Sequence, residues 1–149
     1  MVGYYVLIGL AVCVALALAW SWWRTGTFGA TVTPARYRKR GSQEAVWTDR
    51  HPGTSLDVAE RVLHLVCDAF RFAAKDRFLF APDDKVAEIY GAVYPRRGIS
   101  LLQFADEMEL ESLLLDLDRE FALDEFPLDK ETTIGRIVDA VLERQKLTG

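Results

Sequence analysis

Apolar residues recur every three or four positions over three stretches of the chain. Leu56, Ala59, Val62, Leu63, Val66, Phe70 and Ala73 form the first stripe. That spacing predicts a core-facing helix over residues 54–74. Thr54 followed by Asp57 makes a capping-box pattern at its start. Leu110, Leu113, Leu114, Leu117 and Phe121 form the second stripe. They predict a helix over 106–121, with Asp106 as N-cap and Glu109 at its third position. Ile134, Ile137, Val138, Val141 and Leu142 share the third face, in a helix capped by Thr132 or Thr133 and running over 133–143. A shorter candidate covers 83–94, with Val86, Ile89, Tyr90 and Val93 in phase and Pro95 to Gly98 breaking it. No segment alternates with the period of a strand, so the fold class expected for residues 54–149 is an all-α bundle of four helices.

The amino-terminal end reads differently. Residues 2–23, VGYYVLIGLAVCVALALAWSWW, hold no charged side chain, and tyrosines and tryptophans flank the run. At about 1.5 Å per residue it matches a hydrocarbon core of about 30 Å, so residues 1–23 are expected to be a single transmembrane helix. A cleaved signal peptide lacks its basic n-region here, and Val12 is a poor lipobox residue before Cys13. Arg24, Arg36, Arg38, Lys39 and Arg40 follow the run and nothing basic precedes it. The positive-inside rule therefore puts the remainder in the cytoplasm of a single-pass protein of the inner (plasma) membrane.

Residues 24–53 read as a basic juxtamembrane linker, rich in glycine and interrupted by Pro34 and Pro52, in which Val32, Tyr37, Val46 and Trp47 are docking candidates. Its basic tract lacks the folded, aromatic context of a nucleic-acid surface, so no nucleic-acid partner is expected.

The net charge of −4 conceals an asymmetry, since residues 101–131 hold eleven Asp or Glu against Arg119 and Lys130. Catalytic chemistry is sparse. His64, Cys67 and Asp68 stand at helical spacing, which reads as a core cysteine beside an incidental histidine more readily than as a nucleophile with its base. Two histidines and two remote cysteines do not supply a metal site, and no glycine-rich phosphate loop is present. The chain is read as having no catalytic residue, metal or cofactor.

From Ala105 to Val141 the order of features resembles the acyl carrier protein family. Acids and leucines in "FADEMELESLLLDLDREF" lead to Glu120-Phe121, then a turn at Pro127, then "TTIGRIVDAV". The helix from Thr54 is compatible with that family's long first helix. The resemblance implies a four-helix domain whose second helix opens on an Asp-Ser-Leu motif carrying phosphopantetheine. Aligned on Glu120-Phe121, that triplet falls on Asp106-Glu107-Met108, so the attachment serine is replaced by Glu107. A carboxylate cannot form the stable phosphodiester that a serine hydroxyl makes. The resemblance also implies that this helix faces basic patches on partner proteins. Asp106, Glu107, Glu109, Glu111, Asp116, Asp118 and Glu120 are thus the expected partner-binding acids. The expectation is a non-catalytic interaction module for a protein with a basic surface. Its alternative is an active acyl or aminoacyl carrier modified at Ser100 or Ser112.

Overall fold

The computed structural model describes residues 31–94, 108–124 and 126–148. Among the described residues six α-helices and a 3-10 helix succeed one another: α1 (Ala35–Arg40), α2 (Glu44–Arg50), α3 (Thr54–Ala69), the 3-10 helix (Ala74–Leu79), α4 (Val86–Val93), α5 (Met108–Phe121) and α6 (Ile134–Thr148). Among the described residues the one extended pairing is an isolated bridge between Lys85 and Thr133. The all-α expectation holds.

The expected transmembrane helix is corrected. No helix among the described residues is long and apolar enough to cross a membrane, and the proposed span at residues 2–23 lies outside them. The architecture is a helical bundle with more elements than the four expected of a carrier-type domain.

Helix α3 is its centre. Val58, Ala59, Val62, Leu63, Leu65, Val66, Cys67 and Ala69 are all buried, leaving Asp57, Arg61, His64 and Asp68 as its solvent strip. A helix apolar over so much of its circumference needs cover on several sides, and α2, α5, α6 and the 3-10 helix supply it. The start differs from the capping box expected at Thr54. Gly53, at φ +67°, holds the N-cap position and Thr54 is the first helical residue, with no side-chain cap bond. The end comes earlier than residue 74. Arg71 turns into the left-handed region at φ 58°, its N–H donating to the Asp68 carbonyl (3.1 Å) and that of Phe72 to the Cys67 carbonyl (2.8 Å). These two bonds make a Schellman motif, built here without the usual glycine. Ala73, assigned to the buried stripe by its spacing, is exposed beyond this turn.

Of the linker expected over residues 24–53, residues 24–30 lie outside the described residues and the rest holds helices from Ala35 onward. From Val32 onward the chain belongs to the same compact unit as the bundle. Tyr37 of α1 and Trp47 of α2 are buried in the core. The Trp47 indole N–H donates to the Phe80 carbonyl (2.8 Å), and the Tyr37 ring lies 4.9 Å from that of Phe80. Arg40 reaches the Leu79 carbonyl through Nε (3.0 Å) and pairs with the Asp84 carboxylate. The basic tract is therefore partly a set of clamps on residues 79–84.

Those same residues tie the bundle together. Ile134 N–H donates to the Asp84 carbonyl (3.0 Å), Gly135 N–H to that of Pro82 (2.8 Å), and Val86 N–H to that of Thr132 (3.0 Å). The amino ends of α4 and α6 thus satisfy part of their unpaired N–H groups on each other's approaches. Thr133 is the residue that caps α6, accepting from Arg136 N–H (3.2 Å), while the Thr132 hydroxyl donates to Asp129 (2.8 Å). The first turn of the helix expected over 83–94 is not helical. Asp84 instead accepts from Ala81 N–H (2.6 Å), and α4 begins at Val86.

Candidate interaction face of helix α5

Helix α5 is amphipathic in a way that separates its acids. Leu110, Leu113, Leu117 and Phe121 are buried against α3 and α6. Leu114, placed on the buried stripe by its spacing, is only half-buried. Met108, Glu111, Leu115 and Asp118, at steps of three and four, form the opposite strip and are exposed. Met108 is 79% and Leu115 57% exposed, which marks them as large apolar side chains without cover.

The expected partner-binding acids fall into three groups. Glu109, Asp116 and Glu120 are engaged within the domain. Glu109 accepts from the Tyr94 hydroxyl (2.6 Å), Asp116 pairs with Arg119 (3.2 Å) and Glu120 with Arg61 (2.7 Å). Arg61 also lies over the Phe121 ring, 4.7 Å from its centroid, so this ion pair fastens the carboxyl end of α5 to α3. Glu111 and Asp118 point away from the bundle and pair with no cation among the described residues. Asp106 and Glu107, with Ser100, lie outside the described residues. Ser112, inside the helix, is exposed.

Ala122 enters the left-handed region at φ 51° and ends α5. The chain then returns beside the helix, and a cleft of about 330 Å³ opens between the two. Leu114, Leu115, Leu123 and Phe126 line it with apolar surface, and Glu111, Asp118 and Asp124 stand among them. Asp124 is bound to Arg144 (3.5 Å) from α6. Sequence periodicity missed this cleft. The available signal was the run Leu113-Leu114-Leu115, because consecutive helix positions are 100° apart and three in a row cannot all face one core.

The remaining chemical candidates separate in space. Cys67 is fully buried in α3, where loss of solvation, reinforced by Asp68, pushes its thiol up to about 12. A thiol so protonated and sealed is no nucleophile. His64 and Asp68 are exposed and pair with each other (3.0 Å), so the three residues share no reactive face. A second cleft, of about 300 Å³, is lined by the polar side chains Asp57, Glu60, Arg61 and His64. Among the described residues no group of three His, Cys, Asp or Glu side chains is placed to hold a metal.

His51 is buried and titratable as well. Its ring stacks on Trp47 at 5.7 Å, and Nε2 lies 3.7 Å from Asp139 of α6. Burial lowers its pKa, Asp139 partly offsets this, and Arg50 adds to the lowering. Arg50 meanwhile spans Asp83 (3.0 Å) and Asp139 (3.4 Å). This cluster holds α2 to α6.

Comparison with protein-family models, with curated proteins and with solved structures returns no match to this chain.

Proposed function

We propose that this chain is a non-catalytic interaction module, carrier-like in its helix order, which recognises a protein with a basic surface through the outward strip of α5. The observation that carries this reading is the state of Glu111 and Asp118. They pair with no cation among the described residues and stand beside exposed Leu115, while the other acids of α5 are engaged. Open carboxylates steer a cationic partner toward the helix and raise its association rate more than its final affinity. The exposed leucine and methionine supply the apolar contact that converts an encounter into a complex.

The carrier likeness rests on the acidic α5, the turn through Pro127 and the final helix capped by Thr133. Glu107 at the attachment position favours binding over group transfer, because it offers no hydroxyl to phosphopantetheine. A second reading has one observation in its favour, the exposure of Ser112. Intact mass after co-expression with a broad-specificity phosphopantetheinyl transferase decides between them, with an unchanged mass expected.

The test of the leading reading uses the full chain as bait. Its captured partner is purified and its association rate measured against ionic strength. Reversal of both Glu111 and Asp118 to lysine should slow association and flatten its salt dependence while the helical circular dichroism stays unchanged. Equal rates for the two proteins would remove the electrostatic role of this strip.

A further inference from the structure

We infer that the cleft beside α5 receives one large apolar side chain from a helical segment of the partner, flanked on the same face by two basic residues. The inference rests on the reading of α5 as the partner-binding helix and adds what the partner must look like.

The argument begins with spacing. Glu111 and Asp118 are seven residues apart on one helix, or about 10.5 Å at 1.5 Å per residue, with Leu115 between them. A partner helix lying along α5 matches that distance when its own cations are seven residues apart. The residue three or four positions from each then lies between them on the same face. An extended segment covers about 10 Å in three residues, but side chains three apart point to opposite sides of a strand. It cannot present both cations and the apolar residue to one surface. The pattern selected is two basic residues seven positions apart with a large apolar residue between them, three positions from one and four from the other.

The cleft sets the middle residue. Leu114, Leu115, Leu123 and Phe126 line a space of about 330 Å³, at the small end of the range that takes ligands and of a size for a single anchoring side chain. Anchors of this kind, set in a pocket and ringed by polar contacts, carry much of the energy of protein interfaces. Arg144 already holds Asp124, which leaves Glu111 and Asp118 for the partner's two cations.

The charge also argues against other occupants. A second copy joined by a two-fold axis through this face would bring Glu111 and Asp118 against themselves. An anionic lipid surface would be repelled by the same carboxylates. A cationic helix is the occupant whose chemistry matches both the rim and the floor.

The probe is a labelled, alanine-based helical peptide with one tryptophan and arginines four residues before it and three after. Its binding to the full chain is followed by fluorescence anisotropy. A control peptide has alanine for the tryptophan. The tryptophan peptide should bind at least about tenfold more tightly than the control, a difference of about 1.4 kcal/mol. That preference should vanish in Leu115→Gln, an exposed site whose change leaves the core intact, and in Phe126→Ala. Equal binding of the two peptides, still abolished by lysine at Glu111 and Asp118, would overturn the anchor and leave the electrostatic reading standing. Binding indifferent to those reversals would overturn both. A dimer of the chain that excludes the peptide, and that Leu115→Gln dissociates, would overturn the proposal in favour of a second copy.

Discussion

Replacing Trp47 by alanine tests whether the segment before α3 belongs to the folded unit. Trp47 is fully buried although α2 is only seven residues long, and its indole N–H holds the Phe80 carbonyl at 2.8 Å. Truncating a fully buried tryptophan costs about 3 to 5 kcal/mol, a large part of the 5 to 15 kcal/mol that stabilises a typical domain. Trp47→Phe separates the two contributions. It keeps a ring in the core but leaves the Phe80 carbonyl without its indole donor, which costs about 1 to 3 kcal/mol. The clamps around the tryptophan do not compensate. Arg40 and Arg50 are partly exposed, and ion pairs at such sites contribute about 0 to 1 kcal/mol each. The assay is urea unfolding of the full chain followed by far-UV circular dichroism. Hydrogen exchange at the Trp47 and His51 amides, which donate to the Gln43 and Trp47 carbonyls, reports on α2 itself. In the wild type these amides should exchange with the slow core. In Trp47→Ala they should open at lower free energy than the amides of α3. A loss below about 1 kcal/mol would refute the reasoning, and α1 and α2 would then be an ornament on a domain that stands without them.

Leu117→Ala should destabilise the chain by about 2 to 5 kcal/mol and Leu114→Ala by about 1 kcal/mol, since Leu117 is fully buried and Leu114 half-exposed at the cleft. Equal losses in denaturant titration would erase the distinction between core stripe and cleft floor. Gly135→Ala should destabilise by about 1 to 3 kcal/mol despite alanine's better helix propensity, because its Cβ would lie 2.9 Å from the Pro82 carbonyl oxygen. Arg71→Gly should stabilise by about 0.5 to 1 kcal/mol, as the left-handed conformation at φ 58° strains arginine by more than glycine's added chain entropy. A lower unfolding midpoint for Arg71→Gly would say that the arginine side chain makes compensating contacts. For His51, burial holds the folded pKa below the unfolded value of about 6.5, so the unfolded chain takes up the proton first. Its contribution is present above about pH 6.5 and is lost as pH falls through the folded pKa; His51→Gln should remove that part of the pH dependence of the urea midpoint.

The three helices with long apolar stripes were legible because a stripe of five or more residues fixes both the helix and its buried face. Their limits were less legible. Arg71 ends α3 in a conformation for which the sequence offers no glycine, and Gly53 takes the cap position that Thr54 was expected to hold. Helices α1 and α2 escaped because each buries one large side chain, Tyr37 and Trp47, and one residue has no period. Their glycine and proline neighbours then favoured a linker. At α5 the acids were legible as a group but their engagement was not. Tyr94 and Arg61, which hold Glu109 and Glu120, come from elements 15 and 59 residues away in the chain. Local pattern carries no information about such contacts.

The separation between solubility and recognition on α5 turns on its apolar residues. Two carboxylates about 10.5 Å apart repel by about 0.4 kcal/mol in water, and salt at physiological strength screens most of that. Leaving Glu111 and Asp118 without a cation among the described residues therefore costs the fold almost nothing, and a surface kept acidic only for solubility would contain the same two residues. Such a surface gains nothing from Leu115, which is 57% exposed between them, or from Met108, 79% exposed one turn before Glu111. Single exposed leucines are ordinary. This one borders a cleft whose other walls, Leu123 and Phe126, are brought there by the left-handed turn at Ala122. Carboxylates, leucine and cleft lie within two turns of one helix whose inner stripe is locked against α3 and α6. A rigid helix offering charge and an apolar recess at fixed spacing meets the requirements of a docking surface, whereas charge alone would meet only those of a soluble one.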